Sequence, residues 1–215
     1  EHGGTHMDAP SHFIEDGITL EKIPIDNLIG DAIVVNISAK ADKDPDAELE
    51  VSDLEAWEKQ HGRIPDKAIV FMYSGRGPYW PDPVKYFGTN TPNNSATFHY
   101  PGLHHEAAKW LIDNRKMKLF GLDTPSFDHG QTKDYLTHKL MLGRGVPGIE
   151  NVANLHLLPP RGAEVFASPM KIKGGSGGPC RVLARIADKM VVNAGTTVQM
   201  SSAIVVMMIA IVLFL

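Results

Sequence analysis

The chain has 215 residues, a net charge of −4 and 43% hydrophobic residues, enough for the core of one large domain. The acidic balance and the lack of any basic block argue against nucleic acid as a partner. The single cysteine, Cys180, excludes an internal disulfide framework and a cysteine-based zinc site. It opens an apolar run and reads as a strand residue.

Directly after Glu1 comes His2-Gly3-Gly4-Thr5-His6-Met7-Asp8-Ala9-Pro10-Ser11-His12-Phe13. Imidazole and carboxylate at this density are the ligands of borderline divalent metals such as Zn2+ and Mn2+. Gly3 and Gly4 let the backbone turn and Pro10 stiffens the exit, so the segment reads as a rigid ligand loop. His2, His6 and Asp8 are the candidate ligands. His12 is the candidate for moving protons. The chain lacks an initiator Met, and its first residues already belong to this motif. It reads as a fragment whose N-terminus, with any signal peptide, is missing.

Asp31 to Ser38 is rich in β-branched residues and reads as a strand. Ser52-Asp53-Leu54-Glu55 has the form of a capping box, predicting a helix to about Gln60 that Gly62 ends. Lys67 to Tyr73 is apolar almost throughout and reads as a buried strand. Ser74 to Pro101 is rich in Gly, Pro and Asn and reads as a long loop, of a length that often serves as a lid or binding loop, with Tyr79, Trp80 and Phe87 as its candidate binding aromatics. A helix is expected over His104 to Arg115, a short strand over Lys118 to Leu122, and a helix over Thr132 to Leu142. Val146 to Leu158 reads as short extended pieces. Strands are expected at Glu164 to Ala167, Met170 to Ile172 and Arg181 to Ile186, the last two joined by a hairpin turn through Gly174-Gly175-Ser176-Gly177-Gly178-Pro179. The sum is an α/β domain with a mixed, strand-rich sheet over residues 1–187.

Residues 188–202 read as a polar linker and 203–215 as a hydrophobic tail. The tail is thirteen apolar residues, short for a span of about twenty. The small triplet Asn193-Ala194-Gly195, a spacer and the tail resemble a GPI-attachment signal, with a tail anchor or a buried helix as the alternatives. Asn36-Ile37-Ser38 and Asn93-Asn94-Ser95 are glycosylation sequons that fit a secretory, cell-surface destination; a cytoplasmic one stays open.

A pair of metal ions needs more ligands than the opening offers. His99, His104, His105, Asp123, Asp128, His129, His138, Glu150 and His156 are the candidates, and spacing alone does not choose among them.

The opening motif resembles the His-x-Gly-Thr-His-x-Asp-x-Pro-x-His signature of the metal-dependent cyclase-like hydrolases, which include bacterial-type kynurenine formamidase and isatin hydrolase. Pro101-Gly102-Leu103 with Glu106 to Leu111, Gly121 to Ser126, His138 to Glu150, Leu158-Pro159-Pro160, and Pro169 to Ile172 with Gly178 to Arg181 match in the same order. The resemblance implies a swivelling β/β/α fold and a homodimer. It implies that His2, His6 and Asp8 bind one metal, that Asp8 bridges to a second completed by His138 and Glu150, and that His12 transfers protons. The cofactor is then one or two divalent ions per subunit, Zn2+ or alternatively Mn2+. His104-His105 and His129 depart from the pattern and read as surface changes. The reaction implied is hydrolysis of N-formyl-L-kynurenine in tryptophan catabolism. The alternatives are isatin or another cyclic amide or lactone as substrate, or a non-catalytic surface-anchored member of the family. An intact His12 disfavours the last.

Overall fold

The computed structural model describes residues 1–186 and the backbone of 189–192 and 196–199. Its elements run β1 (His6–Asp8), β2 (Ile29–Asn36), α1 (Ser38–Ala41), β3 (Glu48–Leu49), α2 (Val51–His61), β4 (Ile69–Tyr73), α3 (Pro83–Phe87), β5 (Gly102–Leu103), α4 (His105–Arg115), β6 (Leu119–Leu122), α5 (Leu136–Gly143), β7 (Gly148–Glu150), β8 (Ala163–Pro169), β9 (Gly177–Ile186), β10 (Lys189–Val192) and β11 (Thr196–Gln199).

The main sheet has the order β1-β7-β6-β4-β2-β8-β9-β10-β11, and β1 also pairs with β9. That extra pairing closes seven strands into a ring. Strands β2, β4, β6 and β7 run parallel to their neighbours in that row, while β1, β8 and β9 pair antiparallel. A separate two-stranded parallel sheet joins β3 to β5. The architecture is the mixed, strand-rich α/β fold expected from the sequence.

Strand alternation sorts the side chains. Ala32, Val34, Ile69, Phe71, Leu119, Val165, Ala167, Val182 and Ala184 form one buried cluster with Met7 and Ile149, inside the ring. Ile33, Val35, Val70, Met72, Phe120 and Leu122 form the other, under Leu54 and Trp57 of α2, Ala107, Ala108 and Leu111 of α4, and Met141 of α5. Both faces of β2, β4 and β6 are covered, which is why Lys67 to Tyr73 reads apolar without alternation. A fully buried side chain such as Phe71 contributes about 1.5–3 kcal/mol.

The alternation also places the chemistry. Met7 and Ile149 are register partners and point inward, so His6 and Asp8 of β1 and Glu150 of β7 share the other face, with His6 opposite Glu150. A slip of one residue would send the polar groups into the ring.

Several local readings change. The opening segment is not a loop throughout, because β1 finds hydrogen-bonding partners on both sides. Helix α2 starts at Val51, where the Asp53 carboxylate accepts the Glu50 backbone N–H at 2.8 Å, so Glu50 and Asp53 frame the box in place of Ser52 and Glu55. Helix α5 starts at Leu136 rather than Thr132. Tyr135 before it is left-handed (φ 51°), and Asp128 accepts the N–H groups of Thr137 (2.9 Å) and His138 (3.1 Å). The long loop carries α3, whose cap Asp82 accepts from Val84 and Lys85. Met170 to Ile172 is not a strand, and the expected hairpin turn shortens because β9 already begins at Gly177. Within the stretch read as a linker, β10 and β11 continue the sheet. The hydrophobic tail, 203–215, lies outside the described residues. Among the described residues no helix is long and apolar enough to cross a membrane.

Glycine at 177 is a packing requirement, since a Cβ there would lie 2.7 Å from the Met7 carbonyl oxygen, in the β1–β9 seam. Gly177→Ala should destabilise by ~1–3 kcal/mol, read as a lower urea midpoint at unchanged m. Gly3→Ala, with nothing within 4 Å of its Cβ, should stay within ~0.5 kcal/mol. Equal effects at the two positions would contradict the close approach.

Candidate metal centre

The outward face of β1 and β7 and the first turns of α5 meet at a cluster of buried polar side chains. His6, Asp8, His138 and Glu150 are each at most 5% exposed. Asp8 stands between the others. Its Oδ1 is 2.8 Å from His2 Nδ1 and 3.4 Å from His6 Nε2. Its Oδ2 is 3.5 Å from His138 Nε2 and 3.9 Å from His12 Nε2. Glu150 completes the ring, with Oε2 3.3 Å from His6 Nε2 and Oε1 3.2 Å from His138 Nε2. Two groups of three donors result, His2/His6/Asp8 and Asp8/His138/Glu150. Within each group the candidate atoms lie within 4.8 Å of one another, and both groups use Asp8.

The outer nitrogens are held. His6 Nδ1 donates to the Gly4 carbonyl at 2.8 Å, which leaves Nε2 facing the centre. His138 Nδ1 lies 2.6 Å from Asp128 Oδ2, with the same consequence. His2 Nε2 is 3.0 Å from Ser176 Oγ. Phe13 stacks on the His138 ring (centroids 4.7 Å apart) and Phe127 lies 4.6 Å from it.

Burial opposes charge on His6 and His138, yet the carboxylates around them outweigh it. Asp8 and Glu150 raise His6 to about 10. Asp128, Asp8 and Glu150 raise His138 to about 11. Burial likewise works against the Asp8 carboxylate, but His138, His2 and His6 hold it well below the usual range. The positive charge on these rings does for Asp8 and Glu150 what a bound cation would do in its place. Glu150 Oε1 is buried and, although 3.2 Å from His138 Nε2, has no well-aligned hydrogen bond. An orphaned carboxylate oxygen costs about 1–3 kcal/mol or more, and its position among imidazole nitrogens fits a divalent ion. The donor set, imidazole with carboxylate, suits Zn2+ or Mn2+.

His12 sits at the rim, partly exposed, its ring stacked on His2 (centroids 4.1 Å apart). Burial lowers its pKa below the ordinary value, with Asp8 opposing. Above the centre opens a cleft of about 920 Å³. Trp80 and Phe87 line it. Tyr79 does not: it is 41% exposed, with the Arg76 guanidinium 5.8 Å from its ring centre. Phe13, Tyr86, Tyr100 and Tyr135 also line the cleft and were not singled out from the sequence. Phe13 adjoins His12 and Tyr86 adjoins Phe87, but aromatic type alone does not separate a cleft wall from core.

The other candidates serve elsewhere. His99 pairs with Asp46, His104 caps α4, His105 lies beside Glu106, His129 beside Glu48, and His156 near Tyr73. Asp123 accepts from the Ser74 hydroxyl and from the backbone N–H groups of Ser74 and Gly77, anchoring the long loop. Asp128 orients His138 rather than joining a donor group.

The profile of the Cyclase family matches residues 1–129. Isatin hydrolase from Roseibium aggregatum is 31% identical over 195 residues, 86% of this chain and 72% of that protein. Kynurenine formamidase from Salinibacter ruber is 30% identical over 187 residues, 86% of this chain and 76% of that protein. Among solved structures, isatin hydrolase A from Ralstonia solanacearum superposes with a TM-score of 0.80 at 39% identity, over 86% of this chain and 72% of that one. A structure described as a potential metal-dependent hydrolase with cyclase activity superposes with a TM-score of 0.63 at 25% identity, over 85% of this chain and 78% of that one.

Near pH 7 the raised His6 and His138 are imidazolium in the metal-free protein, and a cation must displace their protons. Zn2+ uptake should therefore release protons, and affinity should climb as pH rises toward about 10. Those imidazoliums stabilise the metal-free fold most fully below the ordinary histidine pKa of about 6.5. The contribution fades as pH rises through about 10 and 11. Titration in weak buffer with a pH indicator reads the release; none, with pH-independent affinity, contradicts it. Asp128→Asn should weaken Zn2+ binding about 10–100-fold, measured by chelator competition, and unchanged affinity would mean that His138 needs no partner on Nδ1.

Proposed function

The chain belongs to the Cyclase family, whose relatives matched here are hydrolases, and from that membership we propose that it is a divalent-metal-dependent hydrolase of aryl amides, acting by preference on an uncharged cyclic substrate of the isatin type. The observation that carries the reading is Asp8, whose two oxygens face separate donor groups at the floor of an aromatic cleft.

A bound divalent cation supplies Lewis acidity toward the amide carbonyl and makes water easier to deprotonate. His2, His6 and Asp8 would hold one ion, and Asp8, His138 and Glu150 a second. His12, kept neutral near pH 7 by its burial, accepts the proton of the attacking water. The water oxygen adds to the carbonyl carbon, the carbon–nitrogen bond breaks, and His12 returns the proton to the departing nitrogen. The products are a carboxylic acid, which ionises to its carboxylate by releasing a proton to solvent, and an arylamine, joined in one molecule when the substrate is a ring. Phe13, Trp80, Phe87 and Tyr135 seat the aryl group and keep bulk water off the reacting bond.

The cleft supports the order of substrates. Among the described residues that line it there is no lysine or arginine. N-formylkynurenine carries an α-carboxylate for which these residues offer no lysine or arginine partner once the ions are engaged at the floor, whereas isatin carries no charge. This reverses the order expected from the sequence motif alone. The 30% identity to a kynurenine formamidase keeps formamide hydrolysis as the second reading.

The test is a substrate panel on the full-length protein loaded with Zn2+ or Mn2+. Isatin should show the higher kcat/KM, and faster turnover of N-formylkynurenine would select the second reading. His12→Ala should lose at least ~10²-fold in kcat at wild-type metal content. Loss of the metal in that variant would make His12 a ligand and defeat its assigned role.

A further inference from the structure

Asn151 follows Glu150 and holds a left-handed backbone (φ 56°), a conformation asparagine tolerates better than most residues. It grips the opening segment at two points. Its carbonyl accepts from Thr5 Oγ1 at 2.6 Å, and its Nδ2 donates to the Gly4 carbonyl at 3.1 Å. The Gly4 carbonyl is the same oxygen that takes the His6 Nδ1 proton. On the other side, Asn151 Oδ1 accepts from the Tyr86 hydroxyl at 2.7 Å, with the Asp123 carbonyl oxygen 3.1 Å from that hydroxyl. Tyr86 is 5% exposed and lines the cleft. The amide has one workable orientation, because a flip would set Oδ1 against the Gly4 carbonyl oxygen.

We infer that Tyr86 and Asn151 are positioning residues. They form a hydrogen-bonded relay from the cleft wall, through the Gly4 carbonyl, to the His6 ring, and so fix the direction of His6 Nε2 toward Asp8 and Glu150. The inference rests on the metal-centre reading above. The relay joins the long aromatic loop to the donor group His2/His6/Asp8, whereas His138 is oriented separately by Asp128. Disturbing it should therefore weaken cation retention through His6.

The test uses two near-isosteric variants of the full-length protein. Asn151→Asp keeps an acceptor for Tyr86 but removes the donor to Gly4. Tyr86→Phe removes one oxygen and keeps the ring. Zn2+ affinity by chelator competition should fall at least ~10-fold in Asn151→Asp and ~3–10-fold in Tyr86→Phe, in the range for residues that support metal ligands. The urea midpoint of metal-free Tyr86→Phe should drop only slightly, at unchanged m, while its His6 Nδ1–H signal shifts in the ¹⁵N-edited NMR spectrum. Wild-type affinity in both variants, or an unmoved His6 signal, would overturn the relay. Failure of the wild-type protein itself to bind Zn2+ would instead overturn the metal-centre reading and the relay with it.

Discussion

Everything at the site depends on one buried carboxylate placed in the strand that closes the sheet. Asp8 is 1% exposed, and four imidazoles approach its two oxygens. A carboxylate so deeply buried is costly unless positive charge surrounds it. Protonated His6 and His138 supply that charge in the metal-free chain, and a divalent ion supplies it better, because it also satisfies Glu150 Oε1. The fold makes the arrangement rigid. Strand β1 is only three residues long, yet it pairs with β7 on one side and β9 on the other.

Fold and site are therefore hard to separate. The β1–β7 register that sends Met7 and Ile149 into the apolar interior also sets His6 beside Glu150 on the polar face. Helix α5 repeats the logic at helical spacing, since Met141 anchors it in the core and His138, one turn earlier, comes to the centre. Asp128 caps that helix through two backbone N–H groups and also orients His138, so one side chain serves stability and geometry together.

Much of this was legible in the residues. The β-branched runs of β2 and β4 and the helix of α4 announce themselves through local composition and periodicity. The dense histidine motif marks half a metal centre, and resemblance to a family proposed His138 and Glu150 for the other half. What stayed hidden depends on contacts distant in sequence. Nothing local shows that β1 is a strand, because its hydrogen bonds go to residues more than a hundred positions away. The late start of α5 follows from Asp128, and the early start of β9 from a glycine needed against the Met7 carbonyl. Tyr79 and Trp80 are adjacent aromatics, but only Trp80 lines the cleft, a distinction that composition does not carry.

The central claim is that Asp8 serves both donor groups at once, one oxygen to each. Metal content of purified, Zn2+-loaded Asp8→Ala, measured by elemental analysis against the wild type, tests it most directly. All of the wild-type Zn2+ should be lost together in this single substitution, although His2, His6, His138 and Glu150 remain. Retention of part of the Zn2+ at wild-type affinity would show that one donor group stands without Asp8, and would contradict the shared carboxylate.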